Sequence, residues 1–193
     1  GLALRWPAGG AIVAVLTQWH YRSAPWLTAL DLLVIAALLI WRALRDGELR
    51  WLHTGMLVLA VTLPYLGFMD MHEHSVRDNT LVAGLALLSV LWLGVNALRP
   101  IPLLRQARST VLWFYGALAL FAMLIRVYLG EAAPNPAWFR DALDYLGPIL
   151  MTVAMVFATY YSRSLVPAGM AVAIMAILFP EMRANLERTF TGL

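Results

Sequence analysis

The residues best equipped for chemistry fall in one stretch, FMDMHEHSVRDN, residues 68–79. Met69, Met71, His72 and His74 are soft or borderline metal ligands, and Asp70, Glu73 and Asp78 are hard ones. Imidazole with thioether suits copper, whereas imidazole with carboxylate suits zinc or iron. His20 ends an earlier apolar run on the same expected side and adds a donor. His-x-His is a short spacing, and both rings reach one ion only from an extended or turned backbone. The stretch does not match H-E-x-x-H. His72, His74, His20, Asp70 and Glu73 therefore form a candidate set for copper, zinc or iron. The plainer reading is a solvated, hydrogen-bonded loop whose histidines titrate near neutrality, and it is the favoured one.

A second pair of ionisable residues lies inside apolar runs. Asp31 sits about six residues from the end of its run, roughly 9 Å deep at the helical rise, and Arg126 lies a few residues from the end of another. Charges at such depth are costly and usually face a protein interior or a water-filled cavity. Asp31, Arg126 and Asp78 are thus candidates for a substrate or proton path. A packing ion pair, or an arginine snorkelling to the headgroups, explains the same residues without function. His53, at the opposite end of its run from the other histidines, is a candidate haem or chlorophyll ligand or an interfacial hydrogen-bonding residue.

The seven residues HSVRDNT, 74–80, resemble a stretch in the third subunit of the copper membrane monooxygenases, where a polar His…Arg-Asp segment follows a transmembrane helix. The match covers less than a twentieth of the chain. That family places a further histidine shortly after the Arg-Asp pair. Here NTLVAGLALL follows instead. The family's ligand set is incomplete, and the resemblance assigns no role to any residue of this chain.

These residues sit in a chain that must be held in lipid. Hydrophobic residues make up 62% of the 193 and charged residues 13%, against about 45–50% and about 25% in soluble domains. The polar residues are grouped at intervals, as in a polytopic membrane protein. With no cysteine, disulfides, thiolate nucleophiles and iron–sulfur clusters are excluded. All fourteen basic residues are arginine, so a retinal Schiff base and a catalytic lysine are excluded as well. The net charge of +3 reflects loop arginines that set topology, and nucleic acid is not an expected partner. The sequence also lacks a nucleophile elbow, a P-loop and a dinucleotide fingerprint.

The expected fold is an all-α integral membrane bundle of six to seven transmembrane helices, a single transmembrane domain over 1–193. Runs near the roughly 20 residues that a span needs cover 5–19, 25–41, 51–69, 80–98, 110–129, 145–161 and 165–180. Six of the tryptophans, at 19, 26, 41, 51, 113 and 138, fall at or near the ends of these runs, as an aromatic belt requires. Arginines concentrate in 42–50, 99–108 and 162–164, which are alternate loops. The positive-inside rule makes that side cytoplasmic and, with Arg5, the N-terminus too. The expected location is a bacterial cytoplasmic membrane. Residues 130–144 read as an interfacial connector, a lid or a docking surface. The tail after Pro180 reads as a short surface helix.

Function follows less directly. The leading expectation is a subunit of a larger membrane complex, or a small-solute or ion transport module with a polar site at its outer face. The expected partners are the bilayer, other membrane subunits or further copies of the chain. The alternative is a metal-binding redox or metal-handling protein built on residues 69–78. Enzyme activity is an open point; were there one, it would be a metal-dependent membrane oxidoreductase.

Overall fold

A proline opens the first described helix and a glycine closes it. Pro25 stands at the first position of α1 (Pro25–Asp46), where its missing N–H costs nothing and its fixed φ already suits a helix. Gly47 follows with φ of 69°, a left-handed conformation free of penalty for glycine. Its N–H donates to the Ala43 carbonyl at 2.9 Å. Glu48 is extended, and α2 (Leu49–Thr62) runs back alongside α1. Pro64 cannot continue an α-helical ladder, and the chain tightens into a 3-10 turn over Leu63–Leu66. The computed structural model describes residues 25–66, 80–99, 101–129 and 138–191. The chain divides into two compact units, Gly1–Met69 and Asp70–Leu193.

In the first unit, α1 buries Ala29, Leu32, Ala36, Leu39 and Ala43. The spacing alternates three and four, with alanine at every seventh position, which is the seam of a left-handed helix pair. Small residues bring the backbones together. A Cβ on Gly55 would stand 2.8 Å from Ile40 Cγ1 and 3.3 Å from the Ala36 carbonyl oxygen. Val58 and Tyr65 complete this core.

The second unit holds α3 (Thr80–Leu98), α4 (Pro102–Leu129), α5 (Trp138–Ser162) and α6 (Val166–Thr191). Helix α5 packs against each of the other three, and α4 also packs against α3 and α6. The buried positions on α3 include Val82, Leu85, Ser89, Trp92 and Asn96, the same heptad spacing with two polar residues in the seam. Ser89 Oγ donates back to the Leu85 carbonyl at 2.9 Å, which satisfies a hydroxyl that no water reaches in lipid. At the α3–α5 crossing a Cβ on Gly147 would lie 2.8 Å from both Cα and N of Ala83. At the α4–α5 crossing a Cβ on Gly116 would collide with the Met155 sulfur.

The outsides of these helices are as apolar as their seams. Leu38, Phe121, Val156, Val172 and Phe179 are all exposed. Water does not tolerate such a surface, but acyl chains do. Five helices are long and apolar enough to cross a membrane: Trp26–Asp46, Leu49–Leu66, Leu81–Leu98, Pro102–Ile125 and Tyr145–Ser162. A shorter apolar segment covers Val166–Pro180. The chain is an all-α, multi-pass membrane helix bundle, with no strand among the described residues. The candidate span 5–19 lies outside them.

Helix α1 runs five residues past its expected end at 41, so that Arg42, Arg45 and Asp46 are helical, and three further helices outrun their apolar stretches. Helix α4 begins at Pro102 and not near residue 110, so Arg105 and Arg108 are helical and Trp113 lies well inside the helix. Long arginine stems can lie along apolar surface while their heads reach water. Helix α5 absorbs residues 138–144, expected in a connector. Helix α6 continues through Pro180 to Thr191, so the tail extends the last apolar helix and is not a separate one.

Candidate functional site

Of the residues that the sequence singles out, His20, Asp70, His72, Glu73, His74 and Asp78 lie outside the described residues, as does Met69. Asp31 is described. It sits on α1 and is exposed, one turn from Leu27 and Val34, with Leu30 and Leu38 also exposed. The seam residues Ala29 and Leu32 flank it in sequence and point elsewhere, so the α1–α2 pairing leaves the carboxylate on an otherwise apolar side. Arg126 lies in the last turn of α4, in the second unit. Its side chain is outside the described set. Among the described residues no three of His, Asp or Glu converge as a metal site would need.

His53 lies in the second turn of α2 and is half-buried. Its Nε2 is enclosed and has no hydrogen-bond partner among the described residues. Nearby in sequence, the α1–α2 turn collects charge in matched pairs. Arg42 Nε meets Asp46 Oδ2 at 3.2 Å. Arg50 grips Glu48 with two bonds, Nε to Oε2 at 2.6 Å and Nη2 to Oε1 at 2.7 Å. Such a fork-to-fork pair strongly favours the ionised acid. The Glu48 carboxyl is held below its ordinary range by that bond first; burial opposes the shift, and Arg50, the Trp51 indole and Arg42 add to it. The Arg42 guanidinium lies 4.5 Å from the centre of the Trp51 ring.

The second unit shows a different arrangement. The Trp92 indole N–H donates to the Arg108 carbonyl at 3.3 Å, which ties the end of α3 to the start of α4. The Arg108 guanidinium carbon stands 3.2 Å from the centre of the Tyr161 ring, which ties α4 to the end of α5. The α3–α4 and α5–α6 turns therefore lie at one end of this unit. Arg99 sits in the first turn and Arg163 in the second. Arg163 has φ of 54°, left-handed for a residue with a Cβ, and its N–H donates to the Thr159 carbonyl at 2.9 Å. Asn96 is buried and its amide nitrogen donates to the Trp92 carbonyl. Its Oδ1 is buried without a partner among the described residues.

Sequence reasoning named the arginines of this end only as topology signals and overlooked Asn96. A signal was present, since Val82, Ser89 and Asn96 repeat at sevens within an apolar run. The contact between Arg108 and Tyr161 joins distant segments and has no local signature. Comparisons with known proteins give no matching family model, no matching curated protein and no matching solved structure.

Proposed function

We propose that this chain, with both units as parts of one transmembrane domain, is a non-catalytic subunit of a larger membrane complex. The observation that carries the proposal is the exposed carboxylate of Asp31 on a helix side otherwise made of Leu27, Leu30, Val34 and Leu38. An acid at the centre of a span costs about 2.5–3.5 kcal/mol on insertion scales, and Asp31, in the second turn of α1, incurs a part of that. A donor on a neighbouring membrane segment would offset that cost and fix which segment docks there. The closely packed α1–α2 seam at Gly55 suits a rigid helix pair that presents such a side to a partner.

Photo-crosslinkers placed at Leu30 and Val34 in native membranes test this. The expected product joins the chain to a second membrane polypeptide and weakens with Asp31→Leu. Crosslinks confined to this chain or to lipid would sink the subunit reading. If Asp31→Asn abolished ion or solute flux in proteoliposomes while leaving the chain unassociated, the transport reading would replace it. Stoichiometric copper, zinc or iron lost with His72→Ala and His74→Ala would favour the 69–78 metal reading.

A further inference from the structure

Among the described residues, two arginines of the first unit are matched to acids, and four of the second are not. In the first unit Arg42 and Arg50 have Asp46 and Glu48 within bonding distance. In the second unit Arg99, Arg105, Arg108 and Arg163 gather at one end, and none has a carboxylate partner among the described residues. The sequence makes this sharper: there is no Asp or Glu from residue 79 to residue 130, nor from 145 to 180. No acid on α3, on α4 or in the α5–α6 turn can neutralise that end.

The geometry concentrates the charge. Arg105 and Arg108 are three residues apart on α4 and share a face. Tyr161 lies under Arg108 and precedes Arg163 by two residues. Arg108 has its guanidinium carbon held 3.2 Å from the ring centre. Its Nε is buried with no partner among the described residues. A buried guanidinium donor is expensive to leave unpaired. Arg163 is exposed and pays for a left-handed backbone to stand where it does.

We propose that this end of the second unit, built from Arg105, Arg108 and Arg163 with Tyr161 beneath, is a specific site for the phosphate of an anionic lipid headgroup. A tetrahedral, charged group with several acceptor oxygens matches the donors, and arginine forks bind it in two-point fashion. The site lies where a span ends, which is the depth of lipid phosphates, and basic pockets between membrane helices are suited to such headgroups. The inference needs the chain to lie in a bilayer. It does not need the subunit reading.

The test uses the full-length chain in mild detergent doped with phosphatidylglycerol or with phosphatidylcholine, and native mass spectrometry counts the lipid retained. The expected result is selective retention of phosphatidylglycerol. Arg108→Gln and Arg163→Gln should each weaken it roughly fivefold, the worth of one interfacial arginine. Arg108→Lys, which keeps the charge but loses the planar fork, should weaken it too and covers the case in which Arg108→Gln fails to fold. Arg45→Gln in the first unit should leave retention unchanged. Equal retention of the two lipids would overturn the proposal, and so would an equal loss with Arg45→Gln, which would reveal a general charge effect. Displacement by inorganic phosphate at millimolar concentration would reassign the site to a free anion and overturn the lipid assignment.

Discussion

Arg108 lies over Tyr161, with the guanidinium carbon 3.2 Å from the ring centre, and this contact joins the start of α4 to the end of α5. Tyr161 in turn meets Tyr160 edge-on at 5.5 Å and Phe157 at 6.2 Å between ring centres. Cation–ring stacks are worth about 0.5–1 kcal/mol when exposed and about 2 kcal/mol when desolvated, and Arg108 is half-buried. Tyr161→Leu should therefore destabilise the protein by about 1–2 kcal/mol, and Tyr161→Phe by much less, because the ring remains. Denaturant titration in a fixed micelle, read by tryptophan fluorescence, checks the order. Equal losses for the two variants would show that the hydroxyl matters and the stack does not.

The glycines give a graded series. A methyl group on Gly147 would meet the backbone of Ala83, which cannot step aside, whereas one on Gly116 would meet the flexible end of Met155. One on Gly94 meets nothing within 4 Å. Gly147→Ala should cost about 1–3 kcal/mol, the range for overpacking, and Gly116→Ala less. Gly94→Ala should be neutral or stabilise by up to about 1 kcal/mol. Thermal denaturation of the three variants in one detergent checks the ranking, and a Gly94→Ala loss as large as that of Gly147→Ala would contradict the α3–α5 crossing.

Arg163 is a left-handed residue with a side chain. Such a conformation costs about 1–2 kcal/mol without glycine, partly offset by glycine's greater unfolded entropy. Arg163→Gly should raise stability by about 0.5–1 kcal/mol while lowering retention of anionic lipid. Arg163→Ala should lower retention without the gain in stability. Paired melting and lipid-retention measurements separate the two effects.

Acid should act on the α1–α2 turn through Glu48. Its carboxyl titrates below the ordinary 4.5 because Arg50 bonds the ionised form. The unfolded chain therefore binds the proton first as pH falls, and stability falls with it. The contribution is full above the unfolded value and disappears as pH drops through the lowered folded value. Glu48→Gln should flatten that part of the stability profile. Melting curves between about pH 6 and about pH 3 check it, and an unchanged acid limb in Glu48→Gln would place the titration elsewhere.

The apolar helices were legible because lipid demands long apolar runs: five of the seven candidate segments fall on helices long and apolar enough to cross a membrane, and 165–180 falls on a shorter apolar stretch. What the runs concealed is how far the helices extend. Arg105 and Arg108, Trp138 to Asp144, and the residues after Pro180 read as loop, connector and tail, yet each continues a helix. At the membrane surface a helix need not be apolar to persist, so hydropathy alone ends it too early. The candidate site was legible only in part. Asp31 stood out because a charge in an apolar run is conspicuous, but which side of α1 it occupies depends on where Ala29, Leu32 and Ala36 pack. The arginines at the end of the second unit were visible one by one; that Arg108 packs on Tyr161 and so brings the two turns to one end is a matter of tertiary contact.

The core of the second unit rests on thioethers. Met123, Met151 and Met155 are almost wholly enclosed, with Met155 filling the space left by Gly116 and Met151 against Ser89. Peroxide converts such side chains to polar sulfoxides that cannot be repacked, but only after reaching them. Sealed in this way, the three sulfurs are oxidised in proportion to the fraction of time the helices stand apart, and the extra oxygen mass they accumulate measures the free energy of that opening.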